Sequence, residues 1–338
     1  MEKEYRLSKV AKVSAFMYGQ KDINILYGDA LKPRDDIPED SFDVLVANPP
    51  YSVRGFLETL PDAAREAYQL TQTIDKPESN NSIETFFIER AKQLLKADCM
   101  AALILPSSIL SNANNTYVKT REILLQYFDI IAIVELGSGT FGKTGTNTVT
   151  LFLRRKATQP DTAAHYRDRV NEWFNADENQ GLYLDANLYQ DYAAHIGVSA
   201  SDYRSLFNGQ PNSALLQQET FAEYRKAFAA STEIVNLKNQ KGFKAKPPAE
   251  QKTELDKRFV AWVQGIERDK LYYFVLANTQ PNPVLIIKSP SDSKAQKQFL
   301  GYEWSSAKGN EGIKLFKNAQ GQHDTLLYDE TRRDNSAK

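Results

Sequence analysis

The sequence predicts an α/β protein built on a largely parallel sheet, followed by a region of different character, and three observations carry that prediction. Residues 42–47, 100–105 and 130–136 read as strands, and the near-continuous apolar character of 42–47 suits a parallel strand buried on both faces. Between them, residues 83–96 and 117–128 carry apolar residues at helical spacing, so strand and helix alternate. Around Pro160 the pattern breaks, and the remainder of the chain is polar and aromatic. The expected division is 1–156 and 157–338.

Taken in order, residues 3–18 predict a helix, with Leu7, Val10, Ala11, Ser14 and Met17 or Tyr18 at helical spacing and Gly19 closing it. Residues 23–27 predict a short strand ending at Gly28-Asp29, and 42–47 the next strand, entered by the turn at Asp40-Ser41. Residues 54–81 are polar without a clean period and predict a long active-site or recognition loop with room for a short helix. The helix at 83–96 has Ser82 as N-cap and Ile83, Phe87, Ala91 and Leu94 on one face. The strand at 100–105 stops at Pro106. A Gly- and Thr-rich loop, 137–146, separates the strand 130–136 from 148–154, and so short a connection without a helix requires an antiparallel pair. Beyond 160, residues 214–230 and 250–266 predict helices, and 271–276 and 284–287 predict strands.

Composition excludes several classes. No apolar run approaches the roughly 20 residues that cross a bilayer, and the charged start is not a secretory signal. Cys99 is the only cysteine, so an internal disulfide and a cysteine-rich zinc cluster are ruled out and a reducing cytoplasm is the expected location. His165, His195 and His323 are too widely spaced for a metal-ligand pattern, so no metal is expected. A formal charge of −1 gives no global attraction to nucleic acid. The densest basic stretch, Lys238, Lys241, Lys244, Lys246, Lys252, Lys257 and Arg258, suits a local grip or an ordinary solvated face equally well.

The chemistry is concentrated in Asn48-Pro49-Pro50-Tyr51, directly after the strand 42–47. By average usage, such a tetrapeptide arises by chance roughly once in a thousand chains this long. It lies where open α/β sheets bind ligands, at a strand's carboxyl end. These residues suit an exocyclic amine of a nucleobase, whose lone pair is delocalised into the ring. Two acceptors aimed at its hydrogens, the Asn48 side-chain oxygen and the Pro49 carbonyl, return electron density to nitrogen. Proline offers a carbonyl without an N–H, so no donor competes, and two prolines in succession hold the acceptors stiffly. Tyr51 supplies an aromatic surface for a base taken out of the duplex. A plain strand-to-loop turn is the alternative reading of the same residues.

The tetrapeptide is similar to the catalytic motif of the amino-group methyltransferases that use S-adenosylmethionine. Other segments follow that family's order. Glu2 resembles the acid that holds the cofactor ribose, and Asp29 with Ala30 the segment that meets the cofactor's adenine; Asn48 would also border the cofactor. Leu105-Pro106-Ser107-Ser108 resembles the end of the family's next strand, and Gly139-Thr140-Phe141 the loop whose aromatic covers the flipped base opposite Tyr51. Lys3-Glu4-Tyr5-Arg6-Leu7, Phe299-Leu300-Gly301-Tyr302-Glu303 and Gly309-Asn310-Glu311-Gly312-Ile313 look like the modification subunits of type I restriction–modification systems.

The resemblance implies a Rossmann-like methyltransferase sheet over 1–156 with a mixed α/β region over 157–338, which would make subunit or DNA contacts. It implies adenine-N6 methylation of double-stranded DNA and specificity and restriction subunits as partners. It also places the first strand and a glycine-rich cofactor loop upstream of Met1. A truncated or split chain is therefore expected, with a separate N-terminal fragment as a further partner and an open edge on the strand 42–47. Alternative functions are an inactive remnant that keeps partner-binding surfaces, or methylation of protein glutamine or RNA. Cytosine-N4 enzymes more often carry Ser or Asp at the position of Asn48.

Overall fold

In the computed structural model the described residues are 1–20, 22–137, 146–158, 160, 163–175, 186–278, 282–290, 292, 295, 302–305, 312–315 and 320–322. Of 163, 164, 175, 186, 187, 302–305 and 312–315 only the backbone is described. They form two compact units, Met1–Pro160 with Asn282–Lys338, and Asp161–Pro281.

The first unit is built on a five-stranded mixed sheet. Its strands are β1 (Phe42–Ala47), β2 (Leu95–Pro106), β3 (Phe128–Leu136), β4 (Thr148–Arg155) and β5 (Leu285–Ile287), in the spatial order β1-β2-β4-β3-β5. β1 pairs parallel with β2, with Val44 opposite Met100 and Ala47 opposite Leu103. β4 enters between β2 and β3, antiparallel to both. The short 137–146 connection thus turns the chain back as expected. β5 then adds parallel to β3, returning residues from late in the sequence to this sheet.

Helices α1 (Tyr5–Met17), α2 (Asp62–Glu66), α3 (Ile83–Leu94) and α4 (Asn115–Tyr127) accompany the sheet. The core is continuous from Leu31, Phe56, Tyr68 and Phe86 to Leu103, Leu151 and Leu153. The expected loop 54–81 contains a short helix, α2, flanked by two 3₁₀ turns, and it buries Leu57, Leu60, Tyr68 and Leu70. The helix α3 is not amphipathic in the expected way. It buries Ile83, Glu84, Thr85, Phe86, Ile88, Glu89, Arg90 and Ala91, on nearly every side, while Phe87 and Leu94 are only half-buried. Ser82 precedes it without a side-chain cap hydrogen bond and donates instead to the Asn80 amide oxygen, 2.9 Å away.

Three other expectations are corrected. In α1 the apolar stripe faces outward: Leu7, Val10, Met17 and Tyr18 are exposed, Phe16 is 80% exposed, and the buried residues are Ser8 and Ala15. Local signals set this helix, since the Glu4 carboxylate accepts the N–H groups of Arg6 and Leu7. Residues 23–27 form no strand; Tyr27 makes only an isolated parallel bridge with Glu2. A run of β-formers without a neighbouring strand has no ladder to join. β1 is a strand but not one covered on both faces. It lies at the sheet edge with the expected open side, and Val44 and Val46 are 66% and 74% exposed.

The second unit is helical: α5 (Ala163–Asn175), α6 (Ala186–His195), α7 (Ala200–Phe207), α8 (Ser213–Leu216), α9 (Glu219–Ala230), α10 (Thr232–Asn239), α11 (Lys241–Lys244) and α12 (Pro248–Ala277). The expected strand at 271–276 is the last part of α12. Phe259, Val263, Glu267, Leu271 and Val275 are buried at four-residue spacing, and that helical period overrides the β-propensity of the aromatic run. Helix α12 opens after Pro247 with Pro248 in its first turn, where a missing N–H costs nothing. A small antiparallel pair, β6 (Tyr302–Ser305) and β7 (Gly312–Leu315), completes the described structure. No helix among the described residues is long and apolar enough to cross a membrane.

Candidate active site

Asn48-Pro49-Pro50-Tyr51 leaves the carboxyl end of β1, beside the end of β2. Pro49 is buried, while Asn48 and Pro50 are exposed. The rigid pair thus anchors one residue in the protein and presents its neighbours to solvent. The Tyr51 hydroxyl lies 3.1 Å from the Asn48 Oδ1 and 3.1 Å from the Ile104 carbonyl oxygen, and its one hydrogen is shared between them. This fixes both the Asn48 side chain and the Tyr51 ring against β2. An amide oxygen has two lone pairs, so Asn48 Oδ1 keeps acceptor capacity beyond the Tyr51 contact.

The segment ends in Ser52, whose φ of 55° lies in the left-handed region although it is not glycine. Its N–H donates to Glu84 Oε2 at 3.1 Å, and the Tyr117 hydroxyl donates to Glu84 Oε1 at 2.5 Å. Glu84, in the first turn of α3, is 1% exposed. The Tyr51 phenol is pushed up to about 12, first by burial and then by the negative charge of Glu84. The Tyr117 phenol is raised as well, by burial and by its bond to Glu84, with a smaller opposing hydrogen bond involving Ser108.

Glu2 and Asp29, distant in sequence, are brought together. The Glu2 N–H donates to Leu26 O at 3.0 Å, and the Gly28 N–H donates to Glu2 O at 2.9 Å. Asp29 Oδ1 accepts the Leu31 N–H at 3.0 Å, and Oδ2 pairs with Lys3 Nζ at 2.7 Å. The Ala30 carbonyl accepts from Arg90 Nε at 3.1 Å. The backbone of Glu2 is thus held beside the turn that carries Asp29, and carboxylates are acceptors suited to the hydroxyls and amine of a nucleoside. Phe141, with Gly139 and Thr140, lies outside the described residues, as do Phe299–Gly301 and 309–311 of the later segments.

Sequence reasoning missed the buried charges of α3. Glu84 reaches the loop after β1, and Glu89 accepts the N–H groups of Gln69 and Leu70 at 2.7 and 3.1 Å. Arg90 reaches the carbonyls of Ala30 and Lys32. The available signal was four ionisable residues, Glu84, Glu89, Arg90 and Lys92, on a helix whose remaining positions are mostly apolar. The same end of the sheet holds a cleft of about 310 Å³ lined by residues including Ser107, Glu135, Asn147, Thr148 and Ser289, where the buried Thr148 hydroxyl has no partner among the described residues. In the second unit the basic stretch is partly neutralised: Lys246 and Arg258 pair with Glu254 at 2.5 and 2.9 Å.

Residues 2–190 match the model of the family described as N-6 DNA Methylase, which is more than half of the 338-residue chain. No curated protein matches the sequence. Among solved structures, a modification subunit of a type I restriction enzyme from Vibrio vulnificus is similar at 16% identity and a TM-score of 0.36, covering 53% of this chain and 41% of that one. A type I restriction–modification methyltransferase subunit from Streptococcus thermophilus is similar at 18% identity and a TM-score of 0.36, with 52% and 41% covered. A class I S-adenosylmethionine-dependent methyltransferase from Listeria monocytogenes is similar at 19% identity and a TM-score of 0.38, with 47% and 45% covered. The chain spans less than half the length of each of these three.

Proposed function

Because the chain belongs to the N-6 DNA methylase family, we propose that it transfers a methyl group from S-adenosylmethionine to the N6 amine of adenine in double-stranded DNA. We assign it the role of modification subunit in a type I restriction–modification system, beside a specificity subunit and a restriction subunit. The observation that carries this reading is the acceptor segment at the carboxyl end of β1, with Asn48 exposed and oriented by the Tyr51 hydroxyl.

The adenine amine needs its lone pair back from the ring before it can attack carbon. Asn48 Oδ1 and the Pro49 carbonyl accept its two hydrogens and draw density toward nitrogen, and they are held before the base arrives. Pro50 stiffens the turn. Tyr51, fixed by its hydroxyl, offers its ring to the extruded base, and Phe141 is assigned the opposite side. Glu2 and Asp29 fit the cofactor's ribose hydroxyls and adenine amine, because each carboxylate oxygen keeps lone pairs beyond the contacts described; Ala30 and Asn48 would border the same ligand. When bound, S-adenosylmethionine supplies an electrophilic methyl carbon on a positively charged sulfur. The alkylated amine then releases its extra proton to water.

The test is methyl transfer to DNA by the chain co-expressed with its specificity subunit, with the nucleosides identified by mass spectrometry. N6-methyladenine is the expected product, and Asn48→Ala should lose about a hundredfold or more in rate with unchanged thermal unfolding. A wild-type rate in Asn48→Ala, or methylation of another base, would overturn the assignment. Absence of both cofactor binding and transfer in the wild-type complex would favour a silent subunit instead.

A further inference from the structure

The buried charge beside the acceptor segment does not belong to the motif. Glu84 enters from α3, and its partners are a backbone N–H and a phenol rather than a cation. Its negative charge is met by these two donors and by the positive end of its own helix, whose first turn it occupies. Two features of the geometry depend on it. Ser52 adopts a left-handed backbone that a residue with a Cβ keeps only where its surroundings over-determine it, and the Glu84 carboxylate holds the N–H of that residue. Tyr117, on the other carboxylate oxygen, comes from α4, which lies beyond the turn after β2. One side chain thus ties the loop after β1 to the structure beyond β2.

We propose that Glu84 is a positioning residue for methyl transfer, fixing segment 48–52 through the Ser52 N–H and placing a buried negative charge behind the acceptors, where the attacking amine becomes cationic. This rests on the methyl-transfer reading above. The charge acts at short range: it already bears on Tyr51, whose hydroxyl touches Asn48. In a site closed to water such a fixed charge acts more strongly than it would in solution. It favours the state in which nitrogen is positive over the neutral amine, so it bears on the rate rather than on DNA binding.

Two substitutions separate holding from charge. Glu84→Gln keeps a carbonyl oxygen for Ser52, and its amide can donate to the Tyr117 oxygen, but it removes the charge. Glu84→Ala removes both. In Glu84→Gln, single-turnover methyl transfer should fall about tenfold, with KM for DNA within about twofold and exchange of the Ser52 amide near wild type. In Glu84→Ala, Ser52 amide exchange should rise about tenfold or more and the rate should fall further. Wild-type transfer in Glu84→Gln, or unchanged Ser52 exchange in a folded Glu84→Ala, would overturn the proposal. If Glu84→Ala does not fold, Glu84→Gln decides. If the wild-type complex transfers no methyl group, the functional reading fails on its own. The positioning role then stands or falls on Ser52 exchange and on ultraviolet titration of Tyr51, whose midpoint should fall from about 12 in Glu84→Gln.

Discussion

The two units of this protein each contain a carboxylate that is 1% exposed and bonded to phenols, Glu84 on α3 and Glu267 on α12. Glu267 accepts the hydroxyls of Tyr192 at 2.8 Å, Tyr203 at 2.7 Å and Tyr224 at 2.5 Å, and Lys270 lies 3.7 Å away. Its partners sit on α6, α7 and α9, so the carboxylate pins three helices to a fourth. Glu84 has one phenol, and its other bond goes to the backbone of a loop in a strained conformation. The same chemical device therefore serves different ends. Where every partner is a helix side chain, the carboxylate stabilises packing. Where one partner is the main chain of an acceptor loop, it sets geometry. Burial of a charge alone does not distinguish the two; the identity of the donors does.

The largest effect expected from this contrast is in the second unit. Glu267→Ala leaves three phenols without their acceptor, and removing one partner of a buried charge network costs about 3–5 kcal/mol. Denaturant unfolding should report that loss, while amide exchange at Ser52 stays at its wild-type rate. A change at Ser52 would mean that the two carboxylates are coupled and that the contrast is false. A smaller effect is expected for Tyr117→Phe, which deletes one hydrogen bond to a charged group, about 1.5–3 kcal/mol. If Glu84 sets loop geometry chiefly through Ser52, this variant should keep most of its methyl-transfer rate. Loss of rate comparable to that of Glu84→Ala would shift the positioning role to Tyr117.

The smallest effect is in alkaline stability. Tyr51 is raised from 10.0 to about 12, so its folded form retains the proton more tightly than the unfolded chain does. Its contribution to stability is full below pH 10 and is lost as pH rises toward 12. Between those values the wild type should lose stability more steeply with pH than Tyr51→Phe. Equal slopes would show that the hydroxyl is not held as described.

Much of this was legible in the sequence. The apolar runs gave three strands of the sheet, the short 137–146 connection required the antiparallel β3–β4 pair, and the tetrapeptide stood where the carboxyl end of β1 stands. Residue-type patterns capture such features because they depend on neighbours along the chain. The illegible features depend on neighbours in space. Glu84 on a helix looks like a solvent-facing charge until Ser52 and Tyr117 are seen beside it. The run 271–276 looks like a strand until its residues continue the buried period of α12. The stripe of α1 looks like a core face, yet its large side chains Leu7, Val10, Met17 and Tyr18 are exposed. Phe141 falls outside the described residues, so its pairing with Tyr51 stays a proposal.

The edge position of β1 bears on how the protein behaves as a material. Among the described residues its outer side carries backbone donors and acceptors without a strand beside them, next to the exposed Val44 and Val46. Such an edge is a template for any extended chain, including another copy of itself. Because that encounter is bimolecular, its extent follows concentration: dilute preparations favour separate molecules, whereas concentrated stocks favour edge-to-edge growth. The acceptor segment begins immediately after this strand, so turbidity would bury the chemistry together with the edge.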